Sequence, residues 1–197
     1  MNKSPRVPEK SAFTLIELLV VIAIIGILMS LLFPAVNSAI DAAKKAQAKN
    51  DVTQIATAVT AYYTEYGKLP PDTVGGSPIA DKTFAAASNG IVGILMGTDT
   101  NNNPRQIVFL EVSDVSKKKG KSGLDANGNF VDPWGNTYQI ALDYGYDNTL
   151  SITYGATTSA GGTTTETVRK TVGVFNIPTS VSTNSASNSY RHVVTSW

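Results

Sequence analysis

The sequence predicts an α+β fold, a long N-terminal helix packed on a small antiparallel sheet. Three observations predict it. Residues up to about position 40 carry an aliphatic run long enough to cross a membrane, and apolar residues then recur at helical spacing to Tyr66. Beyond Leu69 the chain breaks into short runs of Val, Ile, Tyr and Thr bounded by Gly, Asn, Asp and Ser. Helix first and strands later is the order of an α+β domain.

The chain has 197 residues, enough for one domain with an N-terminal extension. Its 16 basic and 15 acidic residues leave a net charge of +1, without the basic excess that a nucleic-acid binder needs. No nucleic-acid partner is expected. The absence of cysteine excludes disulfides and thiolate metal sites. One histidine, His192, is too few for a histidine metal cluster.

The first helix opens on its apolar half. No charge falls between Glu17 and Asp41. A bilayer core needs roughly 20 apolar helical residues, and Phe13–Val36 supplies them. Lys3, Arg6 and Lys10, against Glu9, precede the run, so the positive-inside rule keeps the N-terminus cytoplasmic and the C-terminal domain outside. Lys44, Lys45 and Lys49 on the far side weigh against that orientation. A cleaved signal peptide would have an apolar core of only about 7–15 residues, whereas a plain signal anchor has the same hydropathy as this run. Glu17 interrupts it. A carboxylate at membrane depth costs about 2.5–3.5 kcal/mol on insertion scales and is a functional candidate; at the edge of the span it can instead snorkel to the interface.

The helix continues through an Ala-rich stretch, and alanine favours helix. Val52, Ile55, Val59, Tyr62 and Tyr66 form one apolar face, read as packing on the sheet. Gly67, with Pro70 and Pro71 behind it, is the stop signal. Phe13–Tyr66 as one helix would span ~80 Å at 1.5 Å per residue. Pro34 lacks an N–H and is expected to kink it.

A second helix is expected over Thr83–Met96, with Asn89-Gly90 as a break signal. Strands are expected at Gln106–Val112, Thr137–Leu142, Leu150–Tyr154, Val168–Ile177 and His192–Trp197. Asp132-Pro133-Trp134-Gly135-Asn136-Thr137-Tyr138 reads as a tight turn entering a strand, with Trp134 as its anchor. Asp125, Asn127, Asn129 and Asp132 make an oxygen-rich spacing, a weak calcium candidate without the glycine and terminal glutamate of an EF-hand loop; the alternative is a solvated turn. Lys117-Lys118-Lys119-Gly120-Lys121 reads as a solvated loop or a contact for an acidic partner. Otherwise no cofactor is expected. The chain lacks G-x-S-x-G, a phosphate loop, H-E-x-x-H and a cysteine nucleophile, so no catalytic residue is assigned and no enzyme activity is expected.

Ser11-Ala12-Phe13-Thr14-Leu15-Ile16-Glu17 and the aliphatic run to Leu28 resemble the processing and assembly signal of type IV pilins and type II secretion pseudopilins. Gly26 and Pro34 also match common positions of that span. The resemblance, strongest over Lys10 to Ala39, implies a pilin-like fold. Residues 1–12 would be a leader, 13–36 the membrane and assembly half of the helix, 37–67 its amphipathic half, and 68–197 the globular domain. A prepilin peptidase would cut between Ala12 and Phe13 and methylate the Phe13 amine. Ala12 stands where the family has glycine, one methyl larger. Glu17 would pair with the N-terminal amine of a neighbouring subunit, since two charges in hydrocarbon each need the other.

Asp132, Pro133, Trp134, Gly135, Asn136 and Tyr138 further resemble a motif of the major pseudopilin, as do Asn103-Pro104-Arg105 with Phe109-Leu110-Glu111 and the closing Thr195-Ser196-Trp197. Major pseudopilins often carry calcium in an acidic loop beyond that motif. Here the corresponding Ser/Thr-rich stretches, 155–167 and 179–189, hold one acid, Glu166, so that site does not carry over. The implied function is a structural subunit of a type II secretion pseudopilus. It would be stored in the inner membrane and polymerised with itself or other pseudopilins into a periplasmic filament, on an inner-membrane secretion platform, to help move proteins across the outer membrane. Alternatives are a type IV pilin or minor pilin for adhesion or DNA uptake, and a monomeric membrane-anchored binding module.

Overall fold

The computed structural model describes residues 14–71, 81–87, 90–116, 120–154, 164–176 and 194–197. The expectations for Ala12, Phe13, Lys117–Lys119, His192 and most of the Ser/Thr-rich stretches lie outside them. The chain forms two compact units, one ending at Ala42 and the other covering Ala43–Trp197.

Helix α1 is Leu15–Tyr66, 52 residues. In the first unit its aliphatic side chains are exposed, between 46% and 81% among those of Leu15 to Ile40 whose exposure is described. The helix runs on through Pro34. Because Pro34 has no N–H, the Ser30 carbonyl, four residues earlier, loses its helical donor there.

In the second unit the expected stripe is the core-facing side of the helix. Val52, Ile55, Val59 and Tyr62 are fully buried, and Tyr66 packs against the same cluster. The helix stops at Gly67, whose left-handed φ of 68° lets its N–H close on the Tyr63 carbonyl at 2.8 Å.

Beyond the helix come β1 (Lys82–Ala85), α2 (Ile91–Leu95), β2 (Gly123–Leu124), β3 (Phe130–Val131), β4 (Tyr138–Leu142), β5 (Leu150–Tyr154), β6 (Thr164–Val168) and β7 (Val172–Asn176). Among the described residues they make three antiparallel sheets in place of the one expected: β1-β4-β7, β2-β3 and β5-β6. The β1-β4-β7 sheet contributes Tyr138, Ile140, Leu142 and Val174 to the core behind α1, while α2 adds Ile91, Val92, Ile94 and Leu95.

Three sequence expectations need correction. The helix expected over Thr83–Met96 is a strand followed by the short α2, because Thr83 and Phe84 find partners in Ala141 and Ile140 of β4. Sheet pairing there overrides the helix propensity of Ala85–Ala87. Gln106–Val112 is not a strand; the Phe109 and Leu110 amides both bond to the Leu95 carbonyl at the end of α2, at 2.8 and 3.1 Å. Val168–Asn176 divides into the end of β6 and β7, and Ile177 lies outside the described residues. Of His192–Trp197, the described residues 194–197 lie along β7 through a bridge between Phe175 and Thr195.

Candidate functional site

Two places carry the residues singled out from the sequence, one in each unit. In the first unit, Thr14 and Glu17 close the helix start on each other. The Thr14 amide and hydroxyl donate to Glu17 Oε2 at 2.9 and 2.7 Å, and the Glu17 amide donates to Thr14 Oγ1 at 3.3 Å. This is a capping box, with threonine at the cap and glutamate three residues on. It satisfies donors that a helix start otherwise leaves open, and it gives the carboxylate a partner within its own chain. Ser30, inside the apolar run, bonds back to the Ile27 carbonyl at 2.7 Å. Apart from Glu17, the helix from Leu15 to Ile40 is uncharged, and its large hydrophobic side chains are exposed wherever their exposure is described. It is long and apolar enough to cross a membrane.

In the second unit, the Asp132–Asn136 turn is built around a carboxylate that is 1% exposed. Asp132 Oδ1 accepts the Trp134 and Asn136 amides, both at 2.8 Å. Its Oδ2 accepts the side-chain amides of Asn136 at 2.9 Å and of Asn176, on β7, at 2.6 Å. Gly135, at a φ of 91°, makes the bend. Asn176 passes the connection on by accepting the Val194 amide at 2.6 Å. Two residues after the turn, the Tyr138 hydroxyl donates to Asp51 Oδ2 of α1 at 2.8 Å. Burial pushes the Asp51 carboxyl above its usual range, against the pull of hydrogen bonds from Ser122 and Tyr138. Burial likewise raises the Tyr138 phenol, and the Asp51 charge adds to the shift. The motif therefore fastens α1, β4, β7 and the 194–197 segment to one another. Trp134 itself is half-buried.

Asp125 sits in a second turn of the same construction. Its Oδ1 accepts the Asn127 and Asn129 amides at 2.9 and 2.8 Å, and its Oδ2 faces the Asn129 side-chain amide at 3.4 Å. Desolvation opposes, but the Asn129 and Asn127 donors prevail and hold this carboxyl below its usual range. The oxygen-rich spacing Asp125, Asn127, Asn129, Asp132 is thus divided between two D-x-x-G-N turns, and each carboxylate faces the amides of its own turn. Among the described residues, no group of three or more Asp, Glu, His or Cys is placed to share a metal ion.

Asn103, matched in the sequence only as part of Asn103-Pro104-Arg105, is a structural centre. Fully buried, it accepts the Tyr66 hydroxyl at 2.6 Å and donates to the carbonyls of Ile94 and Ile107 at 2.9 and 2.7 Å. Beside it, Tyr62 donates to the Asn102 carbonyl at 2.6 Å, and burial pushes its phenol up to about 12.

The chain is similar to known proteins at its N-terminus and over much of its length. The prokaryotic N-terminal methylation motif matches residues 9–33. Over 131 residues the chain is 32% identical to the type II secretion system core protein G of Pseudomonas aeruginosa, covering 66% of this chain and 72% of that protein. Over 96 residues it is 34% identical to a fimbrial protein of Eikenella corrodens, covering 44% of this chain and 63% of that protein. No solved structure matches significantly.

Proposed function

We propose how a chain that belongs to the family of the type II secretion system core protein G uses these two places: it is a structural pseudopilus subunit that polymerises through its N-terminal helix. Its filament helps to move proteins across the outer membrane. The observation that carries this reading is the exposed, charge-free helix surface from Leu18 to Ile40 with a single carboxylate, Glu17, at its start. Such a surface needs a cover, and both lipid and a bundle of identical helices provide one. The subunit is anchored in the membrane by this helix, with its N-terminus cytoplasmic and its folded domain periplasmic. A prepilin peptidase removes residues 1–12, cutting between Ala12 and Phe13, and methylates the Phe13 amine.

Glu17 then exchanges its own Thr14 donors for the Phe13 amine of a neighbour, which sets the axial register of the filament. Pro34, which costs the Ser30 carbonyl its donor, is where the helix yields as subunits pack. The Asp132–Tyr138 motif keeps the filament-surface domain folded while the helix is pulled out of the membrane. The chain performs no chemistry; extraction is driven by a separate ATPase at the inner-membrane platform.

The test is the intact mass of the protein purified from membranes that contain its prepilin peptidase, alongside filament formation by Glu17→Ala. A mass that begins at Phe13 plus one methyl, with filaments lost in the variant, is expected. A mass that retains Met1–Ala12, with no filaments from the unaltered chain, would favour a monomeric membrane-anchored module instead, and normal filaments from Glu17→Ala would refute the role given to Glu17.

A further inference from the structure

Among the described residues of the second unit, three large hydrophobic side chains are exposed: Tyr63, Val108 and Tyr146. Two of them meet, the Tyr63 and Tyr146 rings lying 6.4 Å apart between centroids. They line a groove of about 1100 Å³ between α1 and the turns at 143–148 and 169–171. A lone exposed hydrophobic is ordinary, but an exposed aromatic pair in a groove marks a contact surface.

The α1 wall of the groove is Thr53, Thr57, Thr60 and Thr64, with Ala56 and Ala61 among them. Each threonine hydroxyl donates back to the carbonyl four residues earlier, at 2.8 to 2.9 Å. Their protons are used inside the helix, so this wall offers few donors to a small polar ligand and suits a protein segment better. The facing wall is tied together, the Asp143 amide donating to the Thr171 carbonyl at 3.0 Å and the Thr171 hydroxyl to Asn148 Oδ1 at 3.3 Å. The charge of the groove is one-sided. Arg169 and Lys170 are exposed and have no hydrogen bond or ion pair among the described residues. The acid in the lining, Asp143, is 1% exposed, and its Oδ2 accepts the Asn148 amide at 2.7 Å. Asp147, beside Tyr146, has its Oδ1 taken by the Thr149 amide at 2.8 Å.

Val108 lies in the loop 104–111. This loop packs on α1 through Phe109, whose ring meets those of Tyr62 and Tyr66 at 5.6 and 6.3 Å, and through the Arg105–Glu65 ion pair. At ~100° of turn per residue, Tyr62, Glu65 and Tyr66 stand on nearly the opposite side of the helix from the four threonines. Three residues beyond Val108 comes Glu111, exposed and without a partner among the described residues. One side of the unit thus carries an aromatic groove with two unmatched cations, and the other an exposed valine with an unmatched anion.

We propose that the groove receives the 104–111 loop of a second copy of this chain, with Val108 against the Tyr63 and Tyr146 rings and Glu111 against Arg169 and Lys170. The proposal rests on the filament reading. Surfaces on opposite sides of one subunit make a heterologous contact, which repeats head to tail and need not close on itself. One valine and a rim ion pair make a weak contact between free domains. Subunits already gathered by their helices meet at a high effective concentration, so a weak contact suffices to fix how neighbouring domains dock.

The test uses the full-length chain, which has no cysteine of its own, assembled in membranes that contain its prepilin peptidase and secretion platform. Val108→Cys combined with Tyr146→Cys and treated with a short bis-maleimide should give a ladder of multimers, and either substitution alone at most dimers. Val108→Cys combined with Lys170→Cys repeats the measurement should Tyr146→Cys fail to fold. Added to the first pair, Arg169→Glu with Lys170→Glu should lower cross-linking roughly fivefold, and Glu111→Lys should then restore it. Filaments that give no ladder, or a ladder indifferent to the charge reversal, overturn the proposal and leave the filament reading standing. Adducts of another protein on Tyr146→Cys alone overturn it in favour of a foreign partner. No filaments from the unaltered chain would overturn the filament reading and this proposal with it.

Discussion

Asp132→Asn isolates what the buried turn contributes, because it changes one oxygen into an amide and leaves the shape intact. Asp132 Oδ1 takes two main-chain amides, and an asparagine carbonyl placed there can keep both. The new side-chain amide must then occupy the Oδ2 position, where it meets the side-chain amides of Asn136 and Asn176 donor against donor. Each buried donor deprived of its acceptor costs roughly 1–3 kcal/mol. Two of them put the loss at roughly 2–6 kcal/mol against a typical domain stability of about 5–15 kcal/mol. Asp125→Asn is the internal control. It makes the same change in a turn of the same construction, but on a half-buried carboxylate with a longer 3.4 Å contact to its asparagine, so less than about 1 kcal/mol is expected. Urea unfolding of the full chain in detergent, followed by tryptophan fluorescence, reads both variants. Equal losses in the two, or a loss under about 1 kcal/mol in Asp132→Asn, would refute the claim that this carboxylate holds the turn before β4 to β7.

Burial raises the Asp51 carboxyl, so the native state holds its proton to a higher pH than the unfolded chain does. Its contribution is therefore complete below the ordinary carboxyl range and is lost as pH rises through the raised value; Asp51→Asn should flatten that part of a Tm-against-pH curve. Tyr138→Phe removes the donor to Asp51 and should cost about 1–3 kcal/mol in the same urea assay. Gly67→Ala forces a side chain into a left-handed position and should destabilise by about 1 kcal/mol, read as a lower Tm. Thr14→Val removes the hydroxyl but not the amide that holds Glu17. Carbonate extraction should show normal membrane insertion of this variant, and crosslinking should show a changed yield of assembled subunits.

Local patterns carried most of what the sequence disclosed. The Val52–Tyr66 stripe, the Gly67 stop and the runs at Thr137–Leu142 and Leu150–Tyr154 depend on neighbours within a few residues, and each appears in the fold. The failures depend on partners far along the chain. Thr83–Ala87 reads locally as helix, but its ladder partner is Gln139–Leu142, more than fifty positions later. Gln106–Val112 has the composition of a strand, and only the end of α2 explains why its amides bond to Leu95 instead. Asp125 to Asp132 reads from sequence as one oxygen-rich spacing; only the fold shows two D-x-x-G-N turns, one buried against β7 and the other not.

The helix raises a question that hydrophobicity alone does not answer. From Leu18 to Ile40 its surface is equally suited to lipid and to other helices. Transfer from one to the other gains little, because lipid tails are as apolar as the side chains that would replace them. The choice between a stored monomer and an assembled subunit must therefore rest on the few polar groups at the helix start. In the monomer Glu17 has a partner, since Thr14 supplies both an amide and a hydroxyl. That makes storage tolerable for a carboxylate at membrane depth. An incoming subunit has to offer more than Thr14 does, and a methylated amine carrying a full positive charge offers a stronger, charge-assisted bond. A neutral or missing amine would not. On the proposed reading, assembly would follow from the removal of residues 1–12, because an intact leader would leave no amine at Phe13 to compete with Thr14.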